Sequence, residues 1–239
     1  MGKRFFLNVG LISNQMNCFR SAKIQELNYN SNRAPVSWVT GVGSGAGMFA
    51  YADIGLLNIG EDVEVIPEYW FYSATMKQEE LIVTYNWGPY AFNSSNIEIE
   101  RLELCGDFEH FYSRSNRNYG FVGGKYGTVV YDIPFATYDS DTFSTYGIFG
   151  SNAITDFEVS GRVSYIDNKI LKNLSCTNCY VYAVFAEEEY ASQSFSSGDL
   201  PVCENLFIHH NSDFKYLFET KASVKEAMEE GRLRRQRTS

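Results

Sequence analysis

Phe157-Glu-Val-Ser-Gly-Arg-Val-Ser-Tyr165 places Phe157, Val159, Val163 and Tyr165 on one face and Glu158, Ser160, Arg162 and Ser164 on the other. This period-two rhythm marks a half-buried strand. The same alternation runs through Leu81–Trp87, and through Phe5, Leu7, Val9 and Leu11, so the chain enters a sheet close to its first residue. In Ile97-Glu-Ile-Glu-Arg-Leu-Glu-Leu104 the apolar phase slips by one residue at Arg101. A bulge near Arg101 would keep one face buried through that slip. Cys179-Tyr-Val-Tyr-Ala-Val-Phe-Ala186 is apolar on both faces, which predicts a central strand covered on each side.

Weaker strand signals lie at 36–40, 63–72 and 128–133, with Pro67 marking an edge or a bend. Helix is expected only towards the end of the chain. Ser223 with Glu226 reads as a capping box, Val224, Ala227 and Met228 form an apolar stripe, and Gly231 is placed to stop the helix. A second short helix is expected around Asp213–Glu219. No internal repeat is evident. The pattern predicts an all-β, antiparallel β-sandwich or jelly-roll-like domain over residues 1–220 with long loops, followed by a short helix and basic tail over 221–239.

Composition narrows the function. The 239 residues carry a formal net charge of -9, which opposes a body that wraps nucleic acid or lies on an anionic membrane. No apolar run reaches the roughly 20 residues needed to span a bilayer. The local exception in charge is the tail, where Arg232, Arg234, Arg235 and Arg237 stand without an acidic neighbour, suited to an acidic surface or to nucleic acid. Aromatic residues make up 16% of the chain and crowd into the segments 106–127 and 134–155. Tyr112, Tyr119, Tyr138, Phe143 and Tyr146, beside Ser, Gly and Asn, have the chemistry of recognition loops and are candidate interface residues.

Chemistry-bearing motifs are sparse. Cys176-x-x-Cys179 with Cys203 and His209 supplies enough ligands for a tetrahedral zinc site, although the second half lacks a paired knuckle and a buried thiol is often a small apolar filler. Gly41, Gly43 and Ala46 align with a dinucleotide fingerprint that needs a helix starting beside it. Glu98 with Glu100, or Asp139 with Asp141, could form the facing carboxylates of a glycosidase, but equally spaced surface acids are common. His110, His209 and His210 sit in no nucleophile motif. The expectation is a protein without catalytic activity, cofactor or resident metal.

Taken over its whole length, the chain resembles virion structural proteins of tailed bacteriophages, through its immediate N-terminal strand, its Gly-, Asn- and Tyr-rich loops and its basic end. The resemblance implies a capsid, decoration, neck or tail component assembled in the host cytoplasm. It also implies many copies, with partners among themselves and other virion proteins. An alternative is a carbohydrate- or receptor-binding module using Trp38, Trp70, Trp87 or loop tyrosines as a platform, and a second alternative is a carboxylate-based glycoside hydrolase.

Overall fold

The computed structural model describes residues 3–7, 19–30, 47–63, 65–106, 110–111, 120–138, 147–150, 152–163, 165–166, 170–183, 202–208, 219–220 and 225–226. The strands of the N-terminal half are β1 (Lys3–Leu7), β2 (Lys23–Tyr29), β3 (Asp53–Ile54), β4 (Leu57–Ile59), β5 (Val65–Ile66), β6 (Thr75–Val83), β7 (Asn86–Trp87) and β8 (Ile97–Leu104). They are followed by β9 (His110–Phe111), β10 (Lys125–Tyr131), β11 (Phe135–Tyr138), β12 (Ala153–Val159) and β13 (Tyr165–Ile166). The last four are β14 (Ser175–Val181), β15 (Val202–Ile208), β16 (Glu219–Thr220) and β17 (Lys225–Glu226).

Every pairing among these strands is parallel, which overturns the antiparallel sandwich or jelly roll. A 12-stranded sheet runs β1-β2-β3-β6-β8-β10-β12-β14-β15-β16, with β4 also on β2 and β17 also on β15. Two smaller sheets, β5-β7 and β13-β11-β9, collect the short strands that follow the long ones. The chain therefore coils, laying each turn on the last as a solenoid, and no helix occurs among the described residues. Side-chain alternation is the same in parallel and antiparallel strands, so periodicity carried no information on direction. The helix expected near Ser223 is also corrected: Lys225–Glu226 is a strand paired with Phe207–Ile208, and the remaining helix residues lie outside the described ones.

A repeat is present after all. The turns carry the pattern apolar-x-x-apolar-x-apolar, as in Ile24/Leu27/Tyr29, Ile99/Leu102/Leu104, Tyr126/Val129/Tyr131, Ile154/Phe157/Val159 and Cys203/Leu206/Ile208, all of them buried, with Gln78 taking the first position before Leu81 and Val83. Its central positions, Leu27, Leu57, Leu81, Leu102, Val129, Phe157, Cys179 and Leu206, are separated by between 21 residues (81 to 102) and 30 (27 to 57). The variable spacing hides the period from a sequence reading.

The phase slip at Arg101 is the x-x of this repeat. Neighbouring strands bend together, as Ile99 faces Tyr126 and Leu102 faces Val129, so the bend costs no register and no local bulge is needed. Within Cys179–Ala186 the described residues 179–183 are likewise not covered on both faces: Cys179, Val181 and Ala183 are buried, while Tyr180 and Tyr182 are partly exposed, and residues 184–186 lie outside the described ones. The other two long strand expectations are cut short by corners. Leu81–Trp87 joins β6 to β7, and Phe157–Tyr165 joins β12 to β13 through a turn at Gly161–Arg162. Pro67 does mark a bend, closing β5 before the turn at Glu68–Ser73.

The turn edge of the coil is organised by one aromatic per turn. Phe19, Phe49, Phe71 and Phe92 stack at centroid distances of 5.5, 5.5 and 5.1 Å. Phe121 follows Phe92 at 4.9 Å and Phe149 follows Phe121 at 5.9 Å. Backbone bonds between successive turns, such as Phe71 N–H to Ala91 C=O at 2.8 Å and Phe92 N–H to Gly120 C=O at 2.7 Å, set the spacing of this spine. Two residues after the ring the chain repeatedly enters the left-handed region, at Ser21, Tyr51, Ser73 and Gly123, and Asn173 does the same two residues after Leu171. That conformation reverses the backbone into the next strand.

An irregularity interrupts the coil at β6. Ile54 of β3 pairs with Met76, but among the described residues β4 pairs only with β2, while on its other side β6 pairs with β8 from Met76–Ile97 through Val83–Leu104. The buried Gln78 side chain fills the break, accepting from Leu57 N–H at 3.1 Å and donating to Glu80 C=O at 2.6 Å.

Candidate functional site: the outer face of the long sheet

A solenoid sheet buries one face and leaves the other as a continuous surface. The outward positions of its strands are fixed by the repeat, so residues far apart in sequence form straight columns. In the middle of the sheet these columns carry ion pairs. Glu98 on β8 meets Lys125 Nζ at 2.7 Å and Lys77 Nζ at 3.5 Å, and Arg101 meets Glu103 at 3.3 Å and Glu80 at 3.9 Å. Hydrogen bonding and charge from Lys125, then from Lys77, hold the Glu98 carboxyl below its usual range. A glycosidase acid needs the opposite shift. Glu100 is exposed on the same strand, and Asp139 and Asp141 lie outside the described residues.

The C-terminal third of the face is different. Strands β12, β14 and β15 contain no lysine or arginine, and present Asp156, Glu158 and Glu204. Asn205 Nδ2 donates to Asn178 Oδ1 at 3.0 Å, and Asn178 Nδ2 donates to Asp156 Oδ1 at 2.8 Å. This amide ladder runs across three turns and ends on a carboxylate. Beside it, Tyr180 and Phe207 stack at 4.8 Å with planes 9° apart, and Tyr182 lies 6.5 Å from Tyr180 at 10°. Register places Glu158 on the other side of Tyr180 and Lys225 of β17 beside Phe207. Burial, and then the charges of Asp156 and Glu158, push the Tyr180 phenol up, so it remains a neutral hydroxyl.

No family model, curated protein or solved structure matches this chain. The functional reading therefore rests on the geometry of its surfaces.

The cysteine motif takes a different meaning in the fold. Cys176 and Cys179 are the first two apolar positions of one repeat, and Cys203 is the first of the next, directly in register with Cys176. Cys179 lies within hydrogen-bonding reach of both, and burial pushes its thiol well up. Among the described residues no group of three or more His, Cys, Asp or Glu is arranged to hold a metal, and His209 lies outside them. Here the two-residue gap reflects the repeat and needs no metal knuckle to explain it.

The fingerprint residues Gly41, Gly43 and Ala46 lie outside the described residues, and Gly47–Tyr51 after them is a turn leading to β3 and not the start of a helix. Gly47 is required there by close approach: a Cβ would strike the Tyr69 carbonyl. Trp70 and Trp87 are buried against the aromatic spine and offer no platform, and Trp38 lies outside the described residues. Of the proposed interface residues, Tyr138 is described only as part of β11. Tyr112, Tyr119, Phe143, Tyr146, Arg232, Arg234, Arg235 and Arg237 lie outside the described residues.

A second aromatic surface was missed by the sequence reading. Tyr69 and Tyr90 stack at 4.8 Å, Tyr72 stands edge-on to Tyr69 at 5.5 Å and to Tyr51 at 5.9 Å, and the Arg20 guanidinium lies 4.9 Å over Tyr51. Three of these four tyrosines, Tyr51, Tyr69 and Tyr90, have positive φ, where L side chains are disfavoured. Their spacing along the chain follows the turn positions of the repeat. Among the described residues, no helix is long and apolar enough to cross a membrane.

Proposed function

We propose that this chain is a non-catalytic recognition solenoid that binds a protein partner along the outer face of its long sheet, centred on Asp156, Tyr180 and Phe207. The observation that carries the reading is the alignment of an amide–carboxylate ladder with a stacked aromatic strip at outward positions of consecutive strands. Rigid aromatics flanked by hydrogen-bonding groups are the composition of interface centres. The apolar-x-x-apolar-x-apolar unit follows the strand motif of leucine-rich solenoids, whose stacked repeats create extended binding surfaces. The resemblance to virion proteins would make the partner another virion subunit, a narrower form of the same reading.

The test is a Tyr180→Ala/Phe207→Ala double variant, compared with the parent chain for partner capture and for far-ultraviolet circular dichroism. Loss of capture with an unchanged spectrum is expected; full retention of every captured partner would reject this face. The tyrosine group at Tyr51, Tyr69, Tyr72 and Tyr90 favours a second reading, the carbohydrate-binding module. A glycan screen of the parent and of Tyr69→Ser/Tyr90→Ser separates the two.

A further inference from the structure

We propose that Cys176 and Cys203 form a reversible disulfide site that pins the turn of β14 to the turn of β15 under oxidising conditions, an inference that stands whether or not the outer face binds a partner. Three of the five cysteines, Cys176, Cys179 and Cys203, converge on one point of the core. Cys176 and Cys203 are direct partners in the parallel register, and both are buried at the first apolar position of the repeat. Neighbouring strands lie about 4.7–4.9 Å apart, inside the Cα separation of about 4.4–6.8 Å that a disulfide spans. Paired positions also project their side chains to the same face, so the two sulfurs emerge together. Cys179 lies within reach of both thiols, but its register partner is Leu206, so its approach to Cys203 is diagonal and the in-register pair has the shorter backbone span.

The pair is buried but stands beside the last long strand. Among the described residues, β15 is flanked on its far side by β16 and β17, which are strands of two residues each. Local opening of so thinly held an edge exposes Cys203 while the phenylalanine spine stays folded. The Cys203 thiolate then attacks a small-molecule disulfide such as oxidised glutathione and displaces one thiolate. The Cys176 thiolate attacks the resulting mixed disulfide and displaces the second. The two protein sulfurs give up two electrons in total, the reagent is reduced to two thiols, and the two protein thiol protons end on them.

The experiment incubates the full chain with oxidised glutathione at mildly alkaline pH, traps the remaining thiols with iodoacetamide and maps the products by peptide mass spectrometry, with fragment ions telling Cys176 from Cys179. The expected product is a Cys176–Cys203 link that is lost on reduction, with Cys179 alkylated. The thermal midpoint of the oxidised chain is expected to rise by about 5 °C or more. Cys203→Val should abolish both the link and the rise, whereas Cys179→Val should keep both, and circular dichroism checks that each variant holds the parent fold. Mapping of the parent chain decides the proposal even where a variant does not fold. A link made by Cys179, or only by Cys18 or Cys105, would overturn the assignment, and so would three alkylated thiols at Cys176, Cys179 and Cys203 after incubation near the onset of melting. A link without a rise in midpoint would overturn the pinning of the two turns.

Discussion

Phe92 and Phe121 face each other at 4.9 Å with planes 9° apart, although each belongs to a different turn of the coil. Both rings are fully buried, and each touches a further ring on its other side. Phe92→Ala removes one ring of a continuous stack and leaves a cavity that two backbone-tethered turns cannot close. The expected cost is about 3–5 kcal/mol, read as a shift in the urea midpoint. Phe92→Leu, which keeps most of the volume, is expected to cost much less.

Gln78 makes a second, sharper test. Its amide replaces the strand pairing lost where β4 and β6 part, so Gln78→Ala leaves the Leu57 N–H buried without its acceptor. The expected loss is about 1–3 kcal/mol. Hydrogen exchange should show the Leu57 amide as the most accelerated site, and unchanged protection there would mean that the side chain does not patch the irregularity.

The left-handed turn positions should respond in opposite directions to glycine and to alanine. Gly123 has φ 89°, and Gly123→Ala is expected to destabilise by about 1–2 kcal/mol. Ser73, with φ 52°, already bears the strain, so Ser73→Gly should be neutral or stabilising by up to about 1 kcal/mol, its N–H bond to Asn93 C=O being kept. Thermal melts of the two variants decide the matter.

Alkaline conditions should weaken the fold. Burial pushes both the Cys179 thiol and the Tyr126 phenol up. A group raised in the folded state favours folding while protonated, so its contribution is complete below the unfolded pKa and is lost as pH rises beyond it. The urea midpoint is therefore expected to fall above about pH 8.5, where unfolded thiols ionise, and further above about pH 10 for phenols. Cys179→Val should flatten the first part of that decline, and a parent midpoint constant to pH 10.5 would contradict the assignment.

Much of the fold's local content was legible in the sequence. Ile97–Leu104 announced a strand with a phase slip at the right residue, and Pro67 announced a bend. The slip was read as a defect of one strand because its companions, Tyr126-x-x-Val129 and Cys176-x-x-Cys179, carry different side chains at uneven intervals. For the candidate site, Tyr180 looked buried on a strand apolar on both faces, while Trp70 and Trp87 looked available. Size and apolarity do not say which way a side chain points once corners and turns redirect the chain.

The sequence by itself determined that strands form, that one face of each is buried, and that the chain is acidic and aromatic, because these depend on neighbours within a few residues. Strand direction, the phenylalanine spine and the alignment of Asp156, Asn178 and Asn205 were decided only by tertiary structure. Parallel and antiparallel pairing share the same side-chain alternation, and a column across a solenoid exists only after each connecting segment has closed its turn and set the register of the next strand.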